Sequence, residues 1–556
     1  MKLSDYVFKF LEDYTDTVFL LSGGGIMHLV DSLGWSKSKL KAICCHHEQA
    51  AVIAVEGYGR IKNSIGVALV TMGPGGSNAI TGMAGAWLDS IPMLVINGQV
   101  KSEDITPRRN GVPVVRAVGF QELNNIDLVK PITKYAVTVN NPQKIRYYLE
   151  KAIYMATTGR PGPVWVEIPL DIQATEINEK KLKGYQKPKK PLKILDEKID
   201  LVVEKLNQAK KPLLLVGNGV RLAGGVGELQ KLLKKININV ATTIFTADDL
   251  VTYEYPKYLG RQGMPGNEAA NRAIDNCDVL LIIGERMQLT QTSYDHQNFC
   301  KETYKIMVDI DKNEMDRKRL NIDLKINMDA KLFLEELLKR DIKINEWKVE
   351  IKPVNLDQYD SKKGFLNVYK FLEALGPKIE GMNVATANGM ASLATHQWLK
   401  IKNGQRFITN AGLGHMGSGL PMAIGACIAA GNSPTVCMEG DGSLMLSIHE
   451  LQTILYHDLP IKLFIFNNDG YYSIKNTHTN YFKRIFASDK NSGLSLPDYS
   501  RLIPAWGLKY ERINNNDELY KLDKISQKGP MVFELMIDPD QQMLPKWSAG
   551  NYLEKI

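Results

Sequence analysis

A chain of 556 residues is too long for one hydrophobic core, so two to four domains of roughly 100–200 residues each are expected. With 44% hydrophobic and 23% charged residues it has the balance of a folded globular protein, which excludes disorder as its main theme. The net charge of +8, from 69 basic against 61 acidic residues, is scattered in short clusters without a nucleic-acid-binding motif, so no nucleic-acid partner is indicated.

The N-terminus, MKLSDYVFKFLEDY, places acids where a signal peptide needs an apolar core. The six cysteines show no CxxC spacing and read as buried reduced thiols, so the expected location is cytoplasmic. From Val18 to Leu170, apolar runs such as VFLLS, VALVTM, MLVING and VWVEIP alternate with stretches of helical period, the rhythm of a parallel sheet flanked by helices. This defines a first domain over residues 1–180, followed by a lysine- and proline-rich linker, KGYQKPKKPLK, at Lys183 to Lys193. The rhythm restarts at PLLLV, VLLIIGE and IMVDID and gives a second domain over 190–345. After a lapse between Glu350 and Lys363, a third domain runs over 362–556 with strands TVCME and IKLFIFNN. The fold class is therefore α/β, with three doubly wound parallel-sheet domains. The uncharged stretch from Asn410 to Met438 is broken by glycines and prolines, so no membrane span is assigned.

The densest chemistry lies in the third domain. Strand Thr435 to Glu439 runs into Gly440-Asp441-Gly442-Ser443, then a helix with the apolar stripe Ile448, Leu451, Ile454 and Leu455, then strand Ile461 to Phe466 and Asn467-Asn468-Asp469-Gly470. A βαβ crossover brings the ends of its two strands together, which sets Asp441 beside Asn468. A diphosphate there would meet a helix N-terminus, and magnesium, which wants about six hard oxygens, could take Asp441, Asn468 and the carbonyl of Gly470.

The segment from GDG to NN resembles the thiamine-diphosphate fingerprint of the pyruvate decarboxylase and acetolactate synthase superfamily, and His46-His47-Glu48-Gln49-Ala50 resembles that family's block carrying the catalytic glutamate. The resemblance implies that Glu48 protonates the cofactor's aminopyrimidine ring, a task for a carboxyl able to hold a proton, which the apolar run Ala50 to Ile53 favours. It also implies cofactor contacts from Asn78, Gly389, Gly414, Gly440, Gly442, Ser443 and Tyr471, with Met416 of TNAGLGHMGSGLPMAIGA as the wedge between the two cofactor rings. Gly25, Gln121 and Lys134 look like pieces of the substrate pocket. In this family active sites form between subunits, so a homodimer or homotetramer is implied.

The middle domain of acetohydroxyacid synthases binds FAD. Here Gly217-Asn218-Gly219, Gly263-Met264-Pro265-Gly266 and Gly284-Glu285-Arg286 are similar to its flavin-side segments, although the family's arginine- and aspartate-rich continuation is replaced by MQLTQT. Thr477 stands where the branched-chain biosynthetic enzymes resemble one another in a tryptophan. The reading is a carboligase that decarboxylates pyruvate or a similar 2-keto acid and joins the remaining unit to a second carbonyl, for which SGGGIMHLVDSL suggests a keto-sugar. The alternatives are a 2-keto acid decarboxylase and, further off, a flavin oxidoreductase. Glu48 with Asp441 and Asn468 argues against the latter, because hydride transfer needs none of them.

Overall fold

Near-continuous apolar runs become parallel strands buried on both faces, as they must when helices cover both sides of a sheet. The computed structural model describes residues 1–35, 38–188, 196–244, 246, 250–318, 320–350, 356, 361–543, 546–548 and 551–553. Residues 189–193 of the expected first linker, and most of the lapse before the third domain, lie outside the described residues.

The first sheet contains β1 (Thr17–Leu20), β2 (Lys41–Cys44), β3 (Gly66–Val70), β4 (Met93–Gln99), β5 (Tyr135–Thr138) and β6 (Pro163–Pro169). Its order is β2-β1-β3-β4-β6-β5, with every neighbouring pair parallel. The second contains β7 (Pro212–Val216), β8 (Asn239–Thr243), β9 (Tyr258–Gln262), β10 (Val279–Ile283), β11 (Tyr304–Asp309) and β12 (Leu324–Asn327), in the parallel order β9-β8-β7-β10-β11-β12. The third contains β13 (Asn383–Thr386), β14 (Phe407–Thr409), β15 (Thr435–Gly440), β16 (Ile461–Asn467), β17 (Lys509–Ile513) and β18 (Met531–Met536). Its order, β14-β13-β15-β16-β18-β17, repeats that of the first sheet.

Each order changes direction between β1 and β3, between β7 and β10, and between β13 and β15, and the first and third turn back again at their last strand. Crevices outside the carboxyl ends of strands open at such switch points, so three places are marked for ligands by topology alone.

The first and third domains are not independent. Phe19, Val70, Val95 and Trp165 on one face of the first sheet belong to the same buried cluster as Ala385, Cys437, Leu463 and Ile465 of the third. Between them lie helices α1 (Glu48–Lys62) and α2 (Gly419–Ala429). These helices touch backbone to backbone: a Cβ on Gly57 would stand 2.2 Å from the Met422 carbonyl oxygen, and one on Gly425 only 1.8 Å from that of Ala54. The central sheet has two apolar clusters of its own, one on each face. Contrary to the reading of the cysteines as uniformly buried, Cys44 is exposed, while the other five are buried, and all six are free.

Candidate functional site

At the switch point of the third sheet, β15 ends in Gly440 and Asp441 turns inward, 2% exposed. One carboxylate oxygen accepts the Gly442 amide at 2.7 Å; the other accepts the amides of Asn468 at 3.1 Å and Gly470 at 3.0 Å. The expected juxtaposition of Asp441 with the end of β16 is thus a direct contact. Gly470 has φ of +137° and lies against Ser488, whose carbonyl oxygen would be 2.0 Å from an added Cβ, so no side chain fits there. Tyr471 covers Gly442, and the Tyr499 hydroxyl donates to the Asp441 carbonyl at 2.6 Å.

Two features point to a cation. Burial pushes the Asp441 carboxyl up to about 7 although its backbone donors oppose the shift. The side-chain oxygen of Asn468 is buried with no partner, its amide nitrogen facing the sulfur of Met390 at 3.7 Å. A buried acceptor left unmade costs about 1–3 kcal/mol, which a hard cation bound between the two oxygens would offset. Among the described residues no cluster of three or more His, Cys, Asp or Glu side chains could hold a metal. The oxygens available at this place, one carboxylate, one amide oxygen and the Gly470 carbonyl, are hard donors of the kind that suit magnesium rather than a soft metal.

The helix expected after GDG is present, and a separate helical turn stands before it. The turn spans Asp441–Leu444, and the 3₁₀ turn Ile448–Glu450 and a short helix Leu451–Tyr456 follow. A four-residue turn has little dipole, so a helix end offers an anion little here. Both pieces are held by tertiary contacts. The Ser443 hydroxyl accepts the Gly417 amide at 2.8 Å, and the carboxylate of Glu450 accepts the His46 amide at 2.8 Å.

Through Ser443 the turn grips the loop bearing Met416. That loop is held further by the Asn388 amide donating to the Gly414 carbonyl, by Asn410 accepting the Gly414 amide at 3.2 Å, and by Glu439 accepting the Leu420 amide at 3.1 Å. Gly389 follows Asn388 at φ of +77° with open space before it. The third-domain residues singled out in the sequence are therefore gathered at one switch point. Asn388, Glu439, Ser488 and Tyr499, which no motif advertises, complete the cluster through contacts with the backbone around it.

In the first domain Glu48 opens α1, 5% exposed, and Asn78 donates to its carboxylate at 3.0 Å. An added Cβ on Gly75 would stand 3.3 Å from the other carboxylate oxygen and 2.7 Å from Thr71, whose hydroxyl accepts the Gly25 amide at 3.1 Å. Gln121, with φ of +58°, sets its carbonyl oxygen where a Cβ on Gly73 would be 2.1 Å away. Gly25, Glu48, Asn78 and Gln121 thus ring the carboxyl ends of β1, β2 and β3. Lys134 does not join them. It precedes β5 at the amino ends of the strands, and its ammonium donates to the Thr158 carbonyl at 2.6 Å, so its expected place in the substrate pocket is not supported.

The switch point of the central sheet faces a cavity of about 300 Å³ reached by Asn218, Thr243, Glu285, Arg286 and Asp309, and walled on the other side by Arg60, Asp89 and Arg160. Gly217 and Gly284 allow the close approach, since a Cβ on Gly217 would lie 2.3 Å from the Gly284 oxygen. Burial raises Asp309 to about 6 and raises Glu285, which accepts the Thr243 hydroxyl at 2.8 Å. Gly263 to Gly266 do not line this cavity; Gly263 is instead tied to Asn271 at 3.0 Å.

Three family profiles match the chain. The thiamine pyrophosphate enzyme N-terminal TPP binding domain matches residues 1–128, the central domain 199–337 and the C-terminal TPP binding domain 387–535. A probable acetolactate synthase large subunit of Methanocaldococcus jannaschii is 32% identical over 100% of this chain and 95% of its own. The acetolactate synthase isozyme 2 large subunit of Escherichia coli K12 is 30% identical over 97% of each. The acetolactate synthase large subunit of Cyanidium caldarium is 30% identical over 96% of this chain and 92% of its own.

Proposed function

The chain belongs to the thiamine pyrophosphate enzymes of the acetolactate synthase large-subunit type, and from that premise we propose that it is a carboligase joining the acyl unit of pyruvate, or a similar 2-keto acid, to a second carbonyl. Thiamine diphosphate, when bound, supplies the nucleophilic carbon that takes up the keto acid, loses carbon dioxide and passes the acyl unit on. The observation that carries the reading is the Asp441 cluster, a buried carboxylate and an orphaned amide oxygen at the switch point of the third sheet.

Asp441, Asn468 and the Gly470 carbonyl would hold magnesium, which would supply positive charge for the diphosphate. Glu48, oriented by Asn78, would hold the proton that the cofactor's pyrimidine ring requires. Met416 would set the angle between the cofactor rings, its loop being fixed at Gly414, Gly417 and Leu420. FAD would take the central cavity, with Glu285 and Asp309 as acceptors for hydroxyls and Arg286 for its phosphates. The apolar side chains left exposed beside the first-domain site, among them Val112, Val118 and Phe120, would be covered in a homodimer or homotetramer. No helix among the described residues is long and apolar enough to cross a membrane, and a cytoplasmic enzyme is the reading adopted.

For the acceptor, the segment after Gly470 supports a carbonyl larger than pyruvate. Thr477 is a small side chain whose hydroxyl donates back to the Ser473 carbonyl at 2.9 Å. Beyond it, Phe482 and Phe486 are exposed and, with His478, Arg484 and Ile485, line a depression of about 430 Å³. Rings, a guanidinium and space suit an acceptor larger than pyruvate, such as a keto-sugar. Mass spectrometry of products formed from pyruvate, thiamine diphosphate and magnesium, with and without candidate carbonyls, tests this. Acceptor-dependent adducts are expected. Acetaldehyde alone would make the protein a 2-keto acid decarboxylase instead.

A further inference from the structure

The central cavity and the Met416 loop share a wall. Arg60 and Asp89 line the cavity and bond to each other at 2.6 Å. Arg60 also donates to Glu56 at 2.7 Å, and the second oxygen of the wholly buried Glu56 accepts the side-chain amide of Asn410 at 2.9 Å. The Asn410 side-chain oxygen in turn accepts the amide of Gly414, two residues before Met416, at 3.2 Å, sharing it with the Asn410 backbone carbonyl, also at 3.2 Å. A parallel link runs from Asp89 to the Ala411 amide at 2.9 Å. Arg286, from the central domain, reaches the same place: a Cβ on Gly412 would be 3.2 Å from its guanidinium and 2.6 Å from the Asp89 carboxylate.

All three domains therefore meet at residues 410–417, and the meeting is polar and buried. One guanidinium, Arg60, faces two carboxylates, and of the other guanidiniums on the cavity wall Arg160 is paired with Asp311 and Glu314 while Arg286 donates to Gln288 at 3.2 Å. A nucleoside diphosphate in the cavity would draw Arg286 and Arg60 toward its phosphates. Any shift of Arg60 is felt by Glu56 and Asp89, the groups that hold Asn410 and Ala411. The loop turns on Gly414 and Gly417 at φ of +61° and +76°, and between them both ring nitrogens of His415 are buried without a hydrogen-bond partner.

We propose that Asn410, with Glu56, Arg60 and Asp89, is a positioning relay through which a nucleoside diphosphate in the central cavity orders the Met416 loop and so tightens the binding of thiamine diphosphate. The proposal rests on the cofactor reading above. It gives the central cavity a task that needs no electron transfer, because its occupant acts on the geometry of the loop. Linkage makes the effect reciprocal, and couplings between sites are typically about 5–150-fold in affinity.

The test uses the whole protein with FAD and ADP as probes. Hydrogen–deuterium exchange read by mass spectrometry on peptides covering 410–418, in the parent protein without thiamine diphosphate, should show slower exchange when either probe is added. Calorimetry should show that FAD tightens thiamine diphosphate with magnesium by about fivefold or more, and the reverse by the same factor. In Asn410→Ala both ligands should still bind, with the factor reduced to about one, as expected when a coupling residue is removed. Two ligands that bind the parent independently, or a factor unchanged in Asn410→Ala, would overturn the relay while leaving the carboligase reading intact. Failure of both probes to bind a protein that does bind thiamine diphosphate would overturn the nucleotide occupant and the relay with it. If thiamine diphosphate itself does not bind, the cofactor reading fails, and the exchange response to FAD still decides the relay; if Asn410→Ala does not fold, the same parental exchange measurement decides it.

Discussion

Replacing Gly425 by alanine tests the contact on which the site is built. The added Cβ would lie 1.8 Å from the Ala54 oxygen, 2.7 Å from its carbon and 2.8 Å from the Tyr58 nitrogen. A carbon and a carbonyl oxygen ordinarily stay about 3.3 Å or more apart, so the helix axes must separate by roughly 1.5 Å. All three atoms are backbone, and no side-chain rotation relieves the clash. Overpacking of this kind costs about 1–3 kcal/mol or more. The separation also moves catalytic groups, because α1 begins with Glu48 and α2 begins three residues after Met416. A displacement of about 1 Å at reacting groups can cost about 100-fold in rate. The assay pairs urea unfolding with kcat at saturating thiamine diphosphate and magnesium, and uses Gly227→Ala as control. Gly227 is a helical glycine with nothing near its Cβ position, where alanine should stabilise by about 0.5–1 kcal/mol. A Gly425→Ala protein with parental stability and kcat would refute the backbone contact and the argument that it aligns the two halves of the site.

Asp441→Ala should abolish the magnesium dependence of thiamine diphosphate binding in calorimetric titration; an unchanged affinity would reduce the GDG turn to a structural one. Glu48→Gln should keep the cofactor bound but slow deuterium exchange at its thiazolium C2 by about 10²–10⁴-fold, with parental exchange removing Glu48 from the mechanism. Glu167, buried on β6 with one carboxylate oxygen unpartnered, is pushed up to about 7 by burial. The folded chain therefore holds a proton there between about pH 4.5 and 7 that the unfolded chain has released, so this group's contribution to stability falls as pH rises through that window and is flat above it. Glu167→Gln should flatten that part of the profile, worth about 3 kcal/mol at most, and a slope identical to the parent's would show that Glu167 is not its source.

What could be read from the chain was set by which constraints are local. The GDG and NNDG turns were legible because a close approach of backbone and one carboxylate at a strand end demand those residue types in that spacing, and the βαβ crossover then fixes their meeting. The separate turn Asp441–Leu444 was not legible, since Ile448, Leu451, Ile454 and Leu455 show only the helical period of the segment that follows it. The contacts that hold the two pieces, Gly417 on Ser443 and His46 on Glu450, join distant segments, the latter pair 404 residues apart. Lys134 was misplaced for a related reason: a motif gives order along the chain but not which end of a strand a side chain joins. Gly263 to Gly266, similar to a flavin-side segment, lie outside the lining of the central cavity, where Gly263 is tied to Asn271 at 3.0 Å.

The sharing of one core by the first and third sheets was equally hidden, although both have the same strand order and both read plainly as α/β. Nothing in either segment says that Gly57 and Gly425 exist for each other; in isolation each is a helix-weakening glycine. Only when the two helices are seen to cross at backbone contact does the cost of each glycine find its cause, and the same crossing explains why Glu56, one residue before Gly57, can reach Asn410 across 354 residues of sequence. The close approach that shapes the core thus also brings the cavity wall and the Met416 loop within one hydrogen-bonded chain.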